Sequence, residues 1–299
     1  MDRLAFMETF VRVVESGSFA AAARKGGVSR AAVSKYIEAL EEHLGARLLN
    51  RTTRRLHLTV EGEVYYQRCR HILEEIGEAE EAVTHLHAAP RGVLRVTAPV
   101  SFGIRYLAPL TAEFQLAYPD IEMDLLFNDR FVDLVEEGID VAVRIGTLGD
   151  SSLVARRLTT TRMTLCASPG YLAKRGEPRT PEELNGHACL LYSLTSLPGV
   201  WRFRRDGEEY SVRVAGVMRA NNGEALQAAA RAGLGLVVLP NFLIVRDLQL
   251  GLLRSVLEDY ALPSLGIHAV CPSSRHMSAK VRGFIDFLIS RLAGRPEWD

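Results

Sequence analysis

Arg30, Ser34 and Lys35 recur at helical spacing, and Arg47, Arg51, Arg54 and Arg55 follow closely after them. A guanidinium or ammonium group can reach guanine edges or phosphate oxygens. The neighbours Ala31 and Ala32 are small, so a helix carrying them can approach a duplex closely. Thr53 and Asn50 add hydrogen-bonding groups beside the arginines. The same stretch ends in Glu38, Glu41 and Glu42, acid that is expected to point outward, away from phosphate. The chemistry in view is contact with a polyanion, against the plainer alternative of a helical hairpin with a solvated polar face.

Local signals say which elements hold these groups. Ser18 reads as an N-cap with an alanine run behind it, and Gly26-Gly27 breaks that short helix. Ser29 caps a second helix whose Val33, Ile37, Leu40 and Leu44 step by four, three and four, which makes one buried stripe. Arg30, Ala31, Ser34 and Lys35 lie off that stripe near its start, where a groove-entering helix presents its side chains. Alternation through Leu56, Leu58 and Val60 predicts a short hairpin, the wing of a winged helix-turn-helix. Upstream, Phe6, Phe10, Val13 and Val14 give a first helix an apolar face for packing.

The run from Ser16 to Gly62 resembles the N-terminal domain of the LysR-type transcriptional regulators. The likeness continues without a gap through the helix pair, the L-G-x-x-L-L-x-R-T-x-R wing and the T-x-E-G that opens the next helix. It implies base-edge contact by Arg30, Ser34 and Lys35, close approach at Ala32, and phosphate or minor-groove contact by Ser18, Ser29, Arg51, Thr53, Arg54 and Arg55. The family often carries proline, arginine and glutamine where this chain has Ala31, Lys35 and Tyr36. Lys35 lacks the guanidinium fork that reads guanine bidentately.

The 299 residues carry 36 Lys+Arg against 36 Asp+Glu, so net charge says nothing about partners. Its distribution does. Residues 1–60 hold ten basic residues and six acids, a net of +4, whereas residues 61–89 hold two arginines and seven acids, a net of −5. A basic head on an acidic stalk fits nucleic-acid contact through the head alone. The N-terminus reads as the start of a helix rather than a signal peptide, and no run approaches a membrane span. The four cysteines (Cys69, Cys166, Cys189, Cys271) form no C-x-x-C pair. They read as buried structural thiols of a cytoplasmic protein, against the alternative of an oxidant-sensing pair in the last three.

From Thr59 to His87 the residues Tyr65, Cys69, Ile72, Ile76, Ala79, Val83 and Leu86 follow a heptad seam. A helix of that length spans roughly 40 Å. The seam predicts a helix-on-helix homodimer contact, with packing on the chain's own sensor domain as the alternative. In the resembled family this linker helix pairs two heads, so that a dimer reads two half-sites.

After a hinge at residues 87–92 the pattern becomes strand, helix, strand, which argues for sheets flanked by helices. Strands are expected at Gly92–Ala98, Ile121–Phe127, Val141–Ile145, Met163–Ala167, Cys189–Tyr192, Val200–Phe203, Tyr210–Val214, Gly235–Leu239 and Leu265–Cys271. Helices are expected at Ile104–Tyr118, Val132–Glu137, Gly223–Ala232 and Met277–Leu292. VAVRIG (141–146), DSSLVARRL (150–158), the S-P-x-Y turn at Ser168–Tyr171, P-x-x-L at Pro181–Leu184 and AARAGLGLVVLP (229–240) resemble the periplasmic-binding-protein-like sensor of the same family. The expected fold class is α/β overall: a winged helix-turn-helix at 1–58, a linker and dimerisation helix at 59–89, and a two-lobed type 2 effector domain at 90–299. Lobe I is expected at 90–161 and 267–299, lobe II at 162–266.

Ligands in such folds lie beyond strand C-termini. That rule selects Ser101, Phe102, Asn128, Arg144, Gly146, Trp201, Asn221 and Asn222 as effector-binding candidates, several of which double as turn or core residues. A helix opening at Ser101 would offer backbone N–H groups to an anion. No nucleotide loop, nucleophile elbow or metal-ligand spacing stands out. Gly233-Leu-Gly235 lies before a strand rather than before a helix, and His85 and His87 point to different faces.

The resemblance therefore implies a DNA-binding transcriptional regulator rather than an enzyme, with no cofactor beyond a small-molecule co-inducer or co-repressor, anionic by the N–H argument. It implies double-stranded DNA, a homodimer or homotetramer and RNA polymerase as partners. The alternative is a solute-binding protein or enzyme with a vestigial head.

Overall fold

The computed structural model describes residues 2–51, 56–84, 90–146, 153–272, 277–294 and 298, with backbone alone at 51, 74, 75 and 78–84. The chain divides into two compact units, Met1–Ala88 and Ala89–Asp299.

In the first unit, helices α1 (Arg3–Ser16), α2 (Phe19–Gly26) and α3 (Arg30–Leu44) precede the hairpin β1 (Leu49–Arg51) and β2 (Leu56–Leu58) and the long helix α4 (Val60–Thr84). Asp2, Ser18 and Ser29 cap the three short helices, each side chain accepting from the backbone N–H three residues on. Each of these helices stops at a glycine in the left-handed region (Gly17, Gly27, Gly45), where a side chain would be strained. The core is Phe10, Val13, Ala22, Val33, Ile37, Leu40, Leu48, Leu49 and Cys69. Leu44, expected in the α3 stripe, is exposed instead.

Thr59 Oγ1 caps α4 by accepting from Gly62 N at 2.9 Å, and its hydroxyl donates to Arg47 O at 2.6 Å. A Cβ on Gly62 would sit 2.0 Å from Leu48 O, so glycine is what lets α4 start hard against the wing. The predicted heptad seam begins inside the head. Cys69 is fully buried, and Tyr65 and Leu73 pack on the same core, Tyr65 with its ring 5.7 Å from that of Phe10. Those positions are therefore spent within the chain, whereas Ile72 is exposed. Leu86 lies outside the described residues.

The second unit opens with β3 (Gly92–Ala98), a helical stretch made of α5 (Val100–Phe102), a π-helical turn (Gly103–Leu107) and α6 (Ala108–Ala117), then β4 (Ile121–Phe127), β5 (Val141–Ile145) and β6 (Val154–Thr161). Next come β7 (Met163–Ala167), α7 (Pro169–Arg175), a 3₁₀ turn (Pro181–Gly186), β8 (Cys189–Tyr192), β9 (Val200–Arg205), β10 (Glu208–Arg213) and β11 (Gly216–Ala220). The chain finishes through α8 (Gly223–Arg231), β12 (Leu236–Pro240), α9 (Asn241–Gln249), β13 (Arg254–Ser255), β14 (Leu265–Cys271) and α10 (Ala279–Leu292).

Two five-stranded sheets result, with orders β4-β3-β5-β14-β6 and β11-β8-β12-β7-β13. Strand β14 runs back into the first sheet antiparallel to β5 and β6, so the chain crosses between sheets twice. The β9–β10 hairpin turns at Asp206 and Gly207, both at positive φ, as a tight hairpin requires.

Residues 134–138 form turns, and the helix predicted over 132–137 is absent. Asp133 Oδ1 accepts from Val135 N and Glu136 N, closing the segment on itself before a helix can propagate. The helix predicted from Ile104 begins earlier, at Val100. Strands β6, β11 and β13 and helix α9 were not among the expected elements. A core of Phe102, Tyr106, Phe242 and Trp298 joins the two lobes, the Trp298 ring 4.5 Å from that of Tyr106, and Trp298 Nε1 donates to Thr160 O at 3.2 Å. No described helix is long and apolar enough to cross a membrane.

Candidate nucleic-acid interface and effector cleft

Helix α3 buries Val33, Ile37 and Leu40 on one side and turns Arg30, Ala31 and Lys35 to solvent on the other, with Ala32 and Ser34 half-buried between them. Arg30 and Lys35 make no hydrogen bond or ion pair with any described residue. Their charges are thus available at the N-terminal end of the helix, where the backbone dipole also favours an anion. Ser29 Oγ accepts from Ala32 N at 3.1 Å and Ser18 Oγ from Ala21 N at 3.2 Å; each hydroxyl keeps its own proton to donate outward. Arg51 ends β1 opposite Leu56. Thr53, Arg54 and Arg55 lie outside the described residues.

One side chain of α3 differs from expectation. Glu41 does not point away into water: its Oε1 accepts from Leu48 N at 2.8 Å and Leu49 N at 3.1 Å. The acid at the far end of the helix is a brace for the wing. Tyr36 stacks on Phe6 with ring centroids 4.8 Å apart, so its ring is engaged with α1.

In the second unit the predicted effector residues separate into two groups. Ser101 is buried just inside α5 and its hydroxyl has no partner among the described residues. Asn222 caps α8 by accepting from Glu224 N and Ala225 N. Asp129, which the sequence did not single out, ties these rims together. Its Oδ1 accepts from Val100 N at 3.0 Å, and its Oδ2 accepts from the Asn222 side-chain amide at 2.9 Å. Tyr192, at the end of β8, faces the same carboxylate. Burial first, and then the Asp129 charge, push its phenol up to about 12. Asn128 sits next to this cluster but turns its Oδ1 to Arg130 N at 2.9 Å, a local turn bond. Asn221 is exposed, and Gly146 ends β5 with its N–H on Gly266 O.

Phe102, Arg144 and Trp201 take other roles. Phe102 is fully buried in the inter-lobe aromatic core. Arg144 is buried and donates to Arg130 O and Val132 O, with its guanidinium 4.8 Å from the Phe131 ring centre. Burial lowers its pKa, opposed by the Glu137 charge. It holds the 130–132 loop. Trp201 is half-buried against the core of the second lobe. The anion argument changes too, because the Val100 N–H is already taken by Asp129.

Two open cavities lie elsewhere. One, of about 490 Å³, is lined by Ser168, Lys174, Arg175, Arg231 and neighbours; the other, of about 570 Å³, by Arg105, Gln227, Phe242, Asp247 and neighbours. All four cysteines are buried. Burial raises the thiols of Cys69 to about 11 and of Cys166 and Cys189 to about 12, and that of Cys271 in the same direction. No group of three His, Cys, Asp or Glu among the described residues could hold a metal ion.

Residues 4–63 match the model for the bacterial regulatory helix-turn-helix protein, lysR family, and residues 87–293 match the LysR substrate binding domain. A Haemophilus influenzae HTH-type transcriptional regulator is 39% identical over 283 residues, 95% of this chain and 98% of that protein. A Xanthomonas campestris HTH-type transcriptional regulator is 41% identical over 287 residues, 95% of this chain and 83% of that protein. The structure of CrgA, a LysR-type transcriptional regulator from Neisseria meningitidis, aligns with a TM-score of 0.62 at 38% identity, covering 97% of this chain and 99% of that one.

Proposed function

Because the chain belongs to the LysR-type transcriptional regulators, DNA-binding proteins with an effector-binding domain, we propose the following division of labour among its parts. Helix α3 enters the major groove, with Arg30, Ser34 and Lys35 at base edges and Ala32 allowing close approach. Ser18, Ser29, Arg51, Thr53, Arg54 and Arg55 hold phosphate or the minor groove. The observation that carries this reading is the solvent-facing Arg30 and Lys35, which pair with no described residue, opposite the buried α3 stripe.

Two copies pair through the linker helix beyond the turn that packs on the head, from Ile72 onward, and such dimers assemble into tetramers. The winged helix-turn-helix covers 1–58, the linker 59–89 and the effector domain 90–299. A small molecule binds at the strand ends around Ser101, Asn128, Gly146, Asn221 and Asn222, shifts the population of lobe arrangements and so changes head spacing or DNA bend. Its class follows the open donors there rather than the occupied Val100 N–H. The protein works in the cytoplasm, catalyses no reaction and contacts RNA polymerase at its promoters.

Selection of duplexes from a randomised pool, followed by gel shift over a salt series, tests the reading. A recovered motif bound with steep salt dependence supports it; no motif at any salt overturns it.

A further inference from the structure

Asp129 lies at the C-terminal end of β4, on the first sheet, and Asn222 at the end of β11, on the second. One carboxylate therefore spans the two rims of the site. Its Oδ1 holds the first N–H of α5 and its Oδ2 holds the amide of Asn222. Asn222 is engaged on both sides: its Oδ1 accepts from the first turn of α8 while its Nδ2 donates to Asp129. Charge-assisted bonds of this kind are stronger than neutral ones. They also lie where strand C-termini converge, the position ligands take in open α/β sheets. Further along the same stretch, at Arg105 and Tyr106, the lobes are joined again. Arg105 donates to Leu243 O at 2.7 Å and pairs with Glu224 at 3.2 Å, and Tyr106 OH donates to Phe242 O at 2.9 Å.

We propose that Asp129 and Asn222 form a latch across the mouth of the effector cleft, which fixes how the lobes meet until a ligand displaces it. The inference rests on the effector-cleft reading given above. A ligand that takes the Val100 N–H must evict the Asp129 carboxylate, and a ligand that donates to Asp129 must replace Asn222. Replacing Asn222 breaks the bond between lobes directly, and evicting the carboxylate from the Val100 N–H removes the anchor that aims it at Asn222, so occupancy of the cleft and release of the latch are coupled. The contact at Arg105 and Tyr106 then acts as the fulcrum about which lobe II adjusts.

The geometry permits a clean test in the full-length protein. Asn222→Asp keeps an N-cap for α8, since Asp caps as well as Asn, but sets a like charge against Asp129. Asp129→Asn keeps an acceptor for Val100 N and turns a second amide toward Asn222. The double variant Asp129→Asn/Asn222→Asp restores a donor–acceptor pair with its polarity reversed. Backbone hydrogen exchange is read by mass spectrometry over peptides spanning 98–106 and 221–231, beside a DNase I footprint on a selected duplex.

Each single variant is expected to exchange about tenfold faster across both peptides and to alter the footprint, and the double variant to return close to the parent protein. Asn222→Ser, which keeps the cap without the amide or the charge, repeats the measurement if Asn222→Asp fails to fold. Singles that exchange like the parent, or a double that stays as fast as the singles, overturn the latch. Faster exchange with an unchanged footprint overturns its link to DNA. A parent protein with no footprint contradicts the regulator reading, while the exchange comparison still decides the latch.

Discussion

In the head, helix starts are closed from within the same turn; at the effector cleft α8 is closed in that way by Asn222, but the start of α5 is closed from across the chain. Asp2, Ser18, Ser29 and Thr59 each accept from a backbone N–H three residues on. The first N–H of α5 is instead met by Asp129, 29 residues away, and Asp129 meets Asn222 at a separation of 93. Arg105 reaches Leu243 O across 138 residues, and Lys280 Nζ reaches Val93 O across 187. The difference has a physical use. Local closure makes a reading head whose shape does not depend on the rest of the chain. Closure at long range makes a domain in which contacts between distant segments hold the lobes together.

Alkaline titration should separate the two units most strongly. The head holds one buried thiol, Cys69, while the effector domain holds Cys166, Cys189 and Cys271. Burial holds Cys69 near 11 and Cys166 and Cys189 near 12 in the folded protein, above the ordinary thiol value of about 8.5. The protonated thiol is thus the native form, and its stabilisation is complete below the unfolded value. It is lost as pH rises from about 8.5 toward the folded value, by about 1.4 kcal/mol per thiol for each pH unit. Urea melts between pH 8 and 11 should show the effector domain losing stability more steeply than the head. Equal slopes would erase this contrast.

Phe10→Ala should cost the head about 3–5 kcal/mol in urea unfolding and leave the effector-domain transition in place. Phe10 is fully buried and packs on Tyr65 and Tyr66. A matching loss in the effector domain would show that the units are not separately stabilised. Glu41→Ala leaves the Leu48 and Leu49 N–H groups without their carboxylate, a loss of about 1–3 kcal/mol in head stability. Footprinting should then show weaker flank protection with the central contacts retained, and Glu41→Gln should recover part of it. Ser29→Ala should cost about 1 kcal/mol, the ordinary value of an N-cap, measured by thermal melting.

This contrast also explains what could be read from the sequence. Helix starts at Ser18, Ser29 and Thr59 are short-range signals, and the structure has all of them. A stripe at four-and-three spacing says that a helix face is buried but not by what. Tyr65 and Cys69 satisfied a heptad while packing on their own head. Asp129 carries no sequence signal beyond a polar residue after a strand, because its partners come from two other elements. Trp298 is likewise one aromatic near the end of the chain until Phe102, Tyr106 and Phe242 surround it. Arg144 at the end of β5 and Phe102 in the helix after β3 are cleft candidates by position, and position alone does not say that their side chains are engaged with Arg130 O, Val132 O and the Phe242 ring.

The central claim, that α3 reads bases while the wing holds backbone, is tested most directly by one salt-dependence measurement. Fluorescence anisotropy on a selected duplex and on single-base variants of it would compare the parent protein, Arg30→Ala and Arg54→Ala. The account predicts that Arg54→Ala weakens binding to every duplex alike and lowers the salt slope by about one, while Arg30→Ala relaxes preference by about 1–3 kcal/mol at one or two base pairs. Equal losses for both variants on every duplex would contradict it.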